Sequence, residues 1–170
     1  EITFDVNESP FYLLLAYGSL DGSNKLAKHD RAIPSANPYK LTDFNPFVGT
    51  NVYAECGKQK GCVGFEDGCV HGRNCSTAVT YAGVSKEQYR IEIYGKVGGD
   101  DQDENYVAVG LSSDNKMGND SVMACYKNSV KMYWNVVGNS VILSNSNAGI
   151  SNVTVAYENG YVLCTFLRET

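Results

Sequence analysis

The chain has 170 residues, enough for one domain with a buried core, and its 43% hydrophobic content is that of a globular rather than a disordered protein. Its net charge is −5, from 14 basic and 19 acidic residues, which argues against nucleic acid, whose phosphates select basic surfaces. No apolar run approaches the roughly 20 residues that span a bilayer. The longest, Phe11 to Tyr17, is short and lacks the basic flank of an intact signal peptide, so any secretory leader is expected to have been removed already.

Helical periodicity is hard to find, and glycine (17) and tyrosine (12) are frequent. Alternating or β-rich runs occur at 11–17, 78–81, 89–94, 106–111, 121–126, 131–137, 153–157 and 161–166, and each predicts a strand. The segment 32–67 carries Pro34, Pro38 and Pro46 and is expected to be a connector with little ladder pairing. An acidic loop runs from Gly99 to Glu104. Gly138-Asn139 and Asn159-Gly160 are turn signals between β-rich runs, and the second predicts a hairpin with positive φ in its turn. Many short strands at this spacing predict an all-β fold, a sandwich or barrel in one domain over 1–170.

The six cysteines, Cys56, Cys62, Cys69, Cys75, Cys125 and Cys164, point to disulfides and an oxidising compartment. Four of them lie within twenty residues among glycines. A zinc site, with His71 as a further ligand, is one reading, but there is no Cys-x-x-Cys pair to form a short chelating loop. Two local disulfides of unassigned connectivity are the other reading. Cys125 and Cys164 each sit in a predicted strand and are expected to bridge two strands. Four sequons begin at Asn7, Asn74, Asn119 and Asn152, and with the cysteines they predict a secreted glycoprotein modified at Asn7, Asn74 and Asn152.

The run Tyr106-Val-Ala-Val-Gly-Leu-Ser-Ser-Asp-Asn-Lys-Met-Gly-Asn-Asp-Ser-Val-Met-Ala-Cys-Tyr126 joins two predicted strands through a polar loop holding Met117-Gly118 and Asp120. It resembles the signature of the DOMON family. Cys56-Gly-Lys-Gln-Lys-Gly-Cys62 and Tyr161-Val-Leu-Cys-Thr-Phe-Leu-Arg168 make the chain look closest to the DOMON module of ferric-chelate reductases. The resemblance implies an antiparallel, immunoglobulin-like, disulfide-bonded β-sandwich. In haem-binding members the methionine of this loop is one axial ligand, and a histidine beyond the last cysteine-bearing strand is the other. No histidine follows Cys164 here. Residues 1–30, with Phe11-Tyr-Leu-Leu-Leu-Ala-Tyr-Gly18 and Leu26-Ala-Lys-His29, resemble that missing downstream piece, so the order of segments is rotated.

The resemblance therefore implies haem b held between Met117 and His29. Imidazole with thioether leaves the iron no open position, and the methionine favours its reduced state, which suits electron transfer. A redox partner protein would supply the electrons. The rotated order implies a unit of a tandem or head-to-tail assembly meeting through its termini, or a permutant. A haem-free module for carbohydrate binding, adhesion or structural assembly is the alternative. An enzyme is not expected: there is no Ser/His/Asp set, phosphate loop or hydrolase histidine cluster, and ferric reduction would be electron delivery by the haem. His71 is a reserve ligand. Trp134, Tyr126 and Phe11 are either pocket lining or core, and Met123 and Met132 are expected to pack in the core.

Overall fold

The computed structural model describes residues 10–23, 25–35, 37–38, 51–97, 105–136, 139–142 (backbone only), 146–158 and 160–169. The order of elements is β1 (Tyr12–Ser19), β2 (Arg31–Pro34), β3 (Gly61–Gly64), α1 (Cys69–Gly72), β4 (Thr77–Gly83), β5 (Gln88–Lys96), β6 (Asn105–Ser112), β7 (Asp120–Tyr126), β8 (Ser129–Val136), β9 (Asn139–Ile142), β10 (Ile150–Glu158) and β11 (Tyr161–Glu169). Two antiparallel sheets face each other. One has six strands in the order β2-β1-β6-β7-β8-β9, and the other five in the order β10-β11-β5-β4-β3. The chain is thus the all-β sandwich that its pattern of short strands predicts.

The core fills the gap between the sheets. Leu13, Leu15, Val107, Val109, Met123 and Met132 of the larger sheet meet Val79, Ile91, Ile93, Val162 and Phe166 of the smaller one. In each strand these residues alternate, as the two-residue period of a pleated strand requires. Met123 and Met132 are packing residues here. Phe11 is fully buried in the same core with its ring edge-on to Tyr81, so it is a core residue and not a pocket wall.

Three disulfides join Cys56 to Cys62, Cys69 to Cys75, and Cys125 to Cys164. The last ties β7 to β11 and so crosses between the sheets. The first two staple the glycine-rich segment that precedes β4. Lys60 of this segment is buried, with Nζ 2.7 Å from Glu92 Oε2, and Thr80 Oγ1 donates to the same oxygen. The segment is therefore anchored to the outer face of β4 and β5 by charge as well as by sulfur.

Three expectations are corrected. The segment 32–67 pairs in two places: β2 lies against β1, and β3 against β4. Both are sheet edges, and Pro34 ends β2 where a missing N–H breaks no central ladder. A short helix, α1, lies within the cysteine cluster, where no strand or helix periodicity marks it. Asn139 is the first residue of β9 and pairs with Val136, so the connection is 137–138 rather than Gly138-Asn139. At the other turn Glu158 faces Tyr161 and Gly160 has φ 76°, as the hairpin signal predicts; Asn159 lies outside the described residues. The acidic loop 99–104, Pro46, Asn7 and both termini also lie outside them.

Candidate functional site

A sandwich strand normally buries one face. β1, β6 and β7 bury both. Their inward residues enter the core, and their outward residues build a second apolar cluster on the outside of the larger sheet. Tyr106, Ala108, Val122, Ala124, Tyr126 and Tyr133 form it, with Leu20 and Leu26 packed against it. Gly110 lies level with Val122 and Leu14 on the same three strands, and a Cβ there would meet Leu14 at 3.3 Å. The floor of this face is thus made of small side chains, with tyrosines gathered at one end.

That end carries His29. After β1 the chain makes a tight turn in which Asp21 Oδ1 accepts from the amides of Ser23 and Lys25, which also lowers the Asp21 pKa. Leu20 and Leu26 then pair across it, and the Ala27 and Asp30 amides donate to the Ser19 and Tyr17 carbonyls. This return folds over Gly18: a Cβ on Gly18 would lie 2.9 Å from His29 Cα and 3.1 Å from the Tyr106 hydroxyl oxygen. Glycine is required there because backbone crosses backbone. The Tyr106 hydroxyl donates to the Ala27 carbonyl at 3.3 Å, and burial, then Asp30, push its pKa up to about 12. Next to it the Tyr133 hydroxyl donates to the Tyr126 hydroxyl at 3.0 Å. Burial first, then the bond to Tyr126, raise the Tyr133 pKa. His29 itself is half-buried.

Met117 belongs to the opposite end, in the loop from β6 to β7. Its side chain is 43% exposed. The loop reverses through Gly118 (φ 130°) and Asn119 (φ 62°), conformations that favour glycine and that asparagine tolerates. The Gly118 amide donates to Asp120 Oδ2 at 2.7 Å, and Asn135 Nδ2 donates to the same oxygen at 3.1 Å. The Asn119 amide donates to the Asn135 carbonyl. Asp120 alternates with Val122 and Ala124, so the loop is tied to the same outer face.

His29 and Met117 therefore do not touch. Gly18 pairs with Tyr106 at one end of β6, and Tyr12 pairs with Ser112 at the other. At the rise of an extended strand those levels are roughly 20 Å apart. The two residues bracket one apolar face from its two ends.

The remaining candidates lie elsewhere. His71 is exposed on α1, beside the smaller sheet, and has no part in this face. Glu66, Cys69 and Cys75 bring three metal-type atoms together, but both sulfurs are in a disulfide and offer no thiolate, which overturns the zinc reading. Glu66 instead accepts from the Ser76 hydroxyl and amide. Tyr126 belongs to the outer face and Trp134 is half-buried on β8. Asn74 and Asn152 are exposed, and Asn152 has φ 51° at a bulge in the edge strand β10. Among the described residues, no helix is long and apolar enough to cross a membrane.

Sequence reasoning did not single out Gly18, Tyr106, Asn135 or Tyr133 as site residues. The available signal was the loss of alternation: Leu13-Leu-Leu-Ala16 and Val107-Ala-Val109 have no polar face, so something must cover their outer side.

The fold is a disulfide-bonded antiparallel sandwich with an apolar cluster on the outer side of its larger sheet, between the loops that carry His29 and Met117. The DOMON domain matches residues 74–170, more than half of the chain. The chain belongs to the DOMON family. It is 33% identical over 124 residues to a Drosophila melanogaster protein named "Putative ferric-chelate reductase 1 homolog", covering 69% of this chain and 18% of that protein. It is 32% identical over 115 residues to the human "DOMON domain-containing protein FRRS1L", covering 65% of this chain and 34% of that protein. The chain thus spans well under half the length of these relatives. No solved structure matches it.

Proposed function

We propose that this chain is a haem b-binding, electron-transferring DOMON module with His29 and Met117 as axial ligands. The observation that carries this reading is the apolar outer face of the larger sheet, bracketed by His29 at one end and Met117 at the other. His29 would hold the group through an imidazole nitrogen and Met117 through its thioether. Because donors to one iron lie a few ångströms apart and these strand levels roughly 20 Å apart, both loops would close over the face to hold it.

The residues suit the group in other respects. Imidazole and thioether are an accepted haem ligand pair, and the wall between their two loops is apolar, with the small side chains of Ala108 and Ala124 on it. When bound, haem supplies one-electron exchange at its iron. The protein's part is to hold the two donors, to exclude water with an apolar wall, and to present tyrosine hydroxyls at the His29 end. The relatives named for ferric-chelate reductase fit a domain that hands electrons on, with a partner protein delivering them.

Three disulfides belong to an oxidising compartment, which supports secretion and glycosylation at the exposed Asn74 and Asn152, and at Asn7. The rotated segment order of the sequence supports a module of 1–170 that occurs in tandem or head-to-tail copies; in the fold, β1 of that segment is the second of six strands, between β2 and β6 of the same chain. Sedimentation over a concentration series tests the self-association: a strict monomer at all concentrations excludes non-covalent head-to-tail assembly.

The absorption spectrum tests the haem. Purified or haemin-reconstituted protein is expected to show sharp low-spin bands after dithionite reduction. Met117→Ala and His29→Ala should each convert the iron to high spin. A protein that takes up no haemin sinks the reading, and unchanged spectra in both variants sink the ligand assignment.

A further inference from the structure

We infer that Asp120 is the positioning residue for Met117, and that it is kept as a buried carboxyl for the sake of the ligand on this face rather than for the fold. The inference rests on the haem reading above. Asp120 is fully buried at the mouth of the face, in register with Asn135 across the β7–β8 ladder. Its Oδ2 gathers two donors, the Gly118 amide and Asn135 Nδ2. Together with the bond from the Asn119 amide to the Asn135 carbonyl, this closes the turn that follows Met117. The turn after Met117 is thereby set by a pair of side chains on the sheet, while before it Asp114 Oδ1 accepts from the Lys116 amide.

The other oxygen carries the argument further. Oδ1 of Asp120 is buried and has no hydrogen-bond partner among the described residues. A loop clamp needs only one acceptor oxygen, and asparagine would provide it without burying an acidic group. An unsatisfied buried polar atom is costly and calls for an explanation. With Met117 as a haem ligand it would have one: an acidic oxygen on the same face would favour the oxidised iron, offsetting the pull of the thioether toward the reduced state.

Two variants separate the roles. Asp120→Asn keeps one oxygen for both donors and removes the acid. Asp120→Ala removes both. Hydrogen–deuterium exchange on the haem-free protein reads the clamp: the Gly118 and Asn119 amides should exchange roughly tenfold faster in Asp120→Ala, and at the wild-type rate in Asp120→Asn. In the haem-loaded protein, Asp120→Ala should lose the low-spin spectrum. Asp120→Asn should keep it and show a midpoint potential shifted upwards. Unchanged exchange in Asp120→Ala overturns the clamp, and an unchanged potential in Asp120→Asn overturns the ligand-directed role. If Asp120→Ala does not fold, the Asp120→Asn potential still decides. If wild-type protein takes up no haemin, the haem reading fails and the ligand-directed role fails with it, while the exchange rates still support or overturn the clamp.

Discussion

Replacing Gly18 by alanine tests whether the histidine end of the face is built as described. The added Cβ would lie 2.9 Å from His29 Cα, 3.1 Å from the Tyr106 hydroxyl and 3.2 Å from the Asp30 nitrogen. Two of these are backbone atoms, so no side-chain rotation relieves the contact. Either the 27–30 segment lifts, breaking the Tyr106–Ala27 hydrogen bond, or β1 moves against β6. Overpacking of this kind costs about 1–3 kcal/mol, and a lost neutral hydrogen bond adds about 1 kcal/mol. Replacing glycine in a strand returns roughly 0.5–1 kcal/mol of that. The net loss of about 1–3.5 kcal/mol should lower Tm by roughly 2–14 °C for a chain of this size. Gly22→Ala is the internal control: it lies in the same return, and a Cβ there meets nothing within 4 Å. Thermal melts by circular dichroism compare the two, and haemin titration then asks whether Gly18→Ala also loses low-spin haem. If Gly18→Ala melts within a degree of wild type, the crossing of His29 over Gly18 is wrong.

Other perturbations give expectations of the same kind. Cys125→Ala with Cys164→Ala opens a link of sequence separation 39 between the sheets, and chain entropy puts its loss at about 4 kcal/mol, readable by denaturant unfolding. Lys60→Met takes the 2.7 Å partner from the buried Glu92 carboxylate, leaving it Arg90 Nε at 3.5 Å and the Thr80 hydroxyl, and should cost less than the about 3–5 kcal/mol of a fully stranded charge, part of which Lys60→Met with Glu92→Leu recovers. Burial pushes the Glu66 pKa up, but the Ser76 hydroxyl and amide, with Arg31, outweigh it and hold it below 4.5. That lowered value makes its contribution complete above the unfolded pKa and lost as pH falls through the folded one, so Glu66→Gln should flatten the acid limb of a stability–pH curve. Tyr106 runs the other way, with a folded pKa near 12 raised by burial and by Asp30. Its contribution is complete below the ordinary value of 10.0 and disappears as pH rises towards 12, so an ultraviolet titration should show a late-ionising phenol that Tyr106→Phe removes.

The strands were legible in the sequence because each long one carries its own period or β-rich run. β4, β5, β6, β7, β8, β10 and β11 all lie where alternation or β-branched residues announce them, and Glu158 to Tyr161 closes where Asn159-Gly160 signals a turn. The short edge strands β2 and β3 and the single-turn helix α1 were not legible, since four residues carry no measurable period and only the neighbouring strand or the flanking disulfides define them. The signature from Tyr106 to Tyr126 gave the DOMON family, and with it His29 and Met117 as the candidate ligands. Sequence could not say how those two stand to each other. That depends on the pairing of β1 with β6, which sets residues 12–19 against 105–112 in opposite direction and so sends the two loops to opposite ends of one face. The same pairing decides why Gly18 has no room for a side chain, and the pairing of β7 with β8 decides that Asn135 meets Asp120. These are contacts between residues far apart in the chain, and a linear pattern records the faces of strands but not which strands become neighbours.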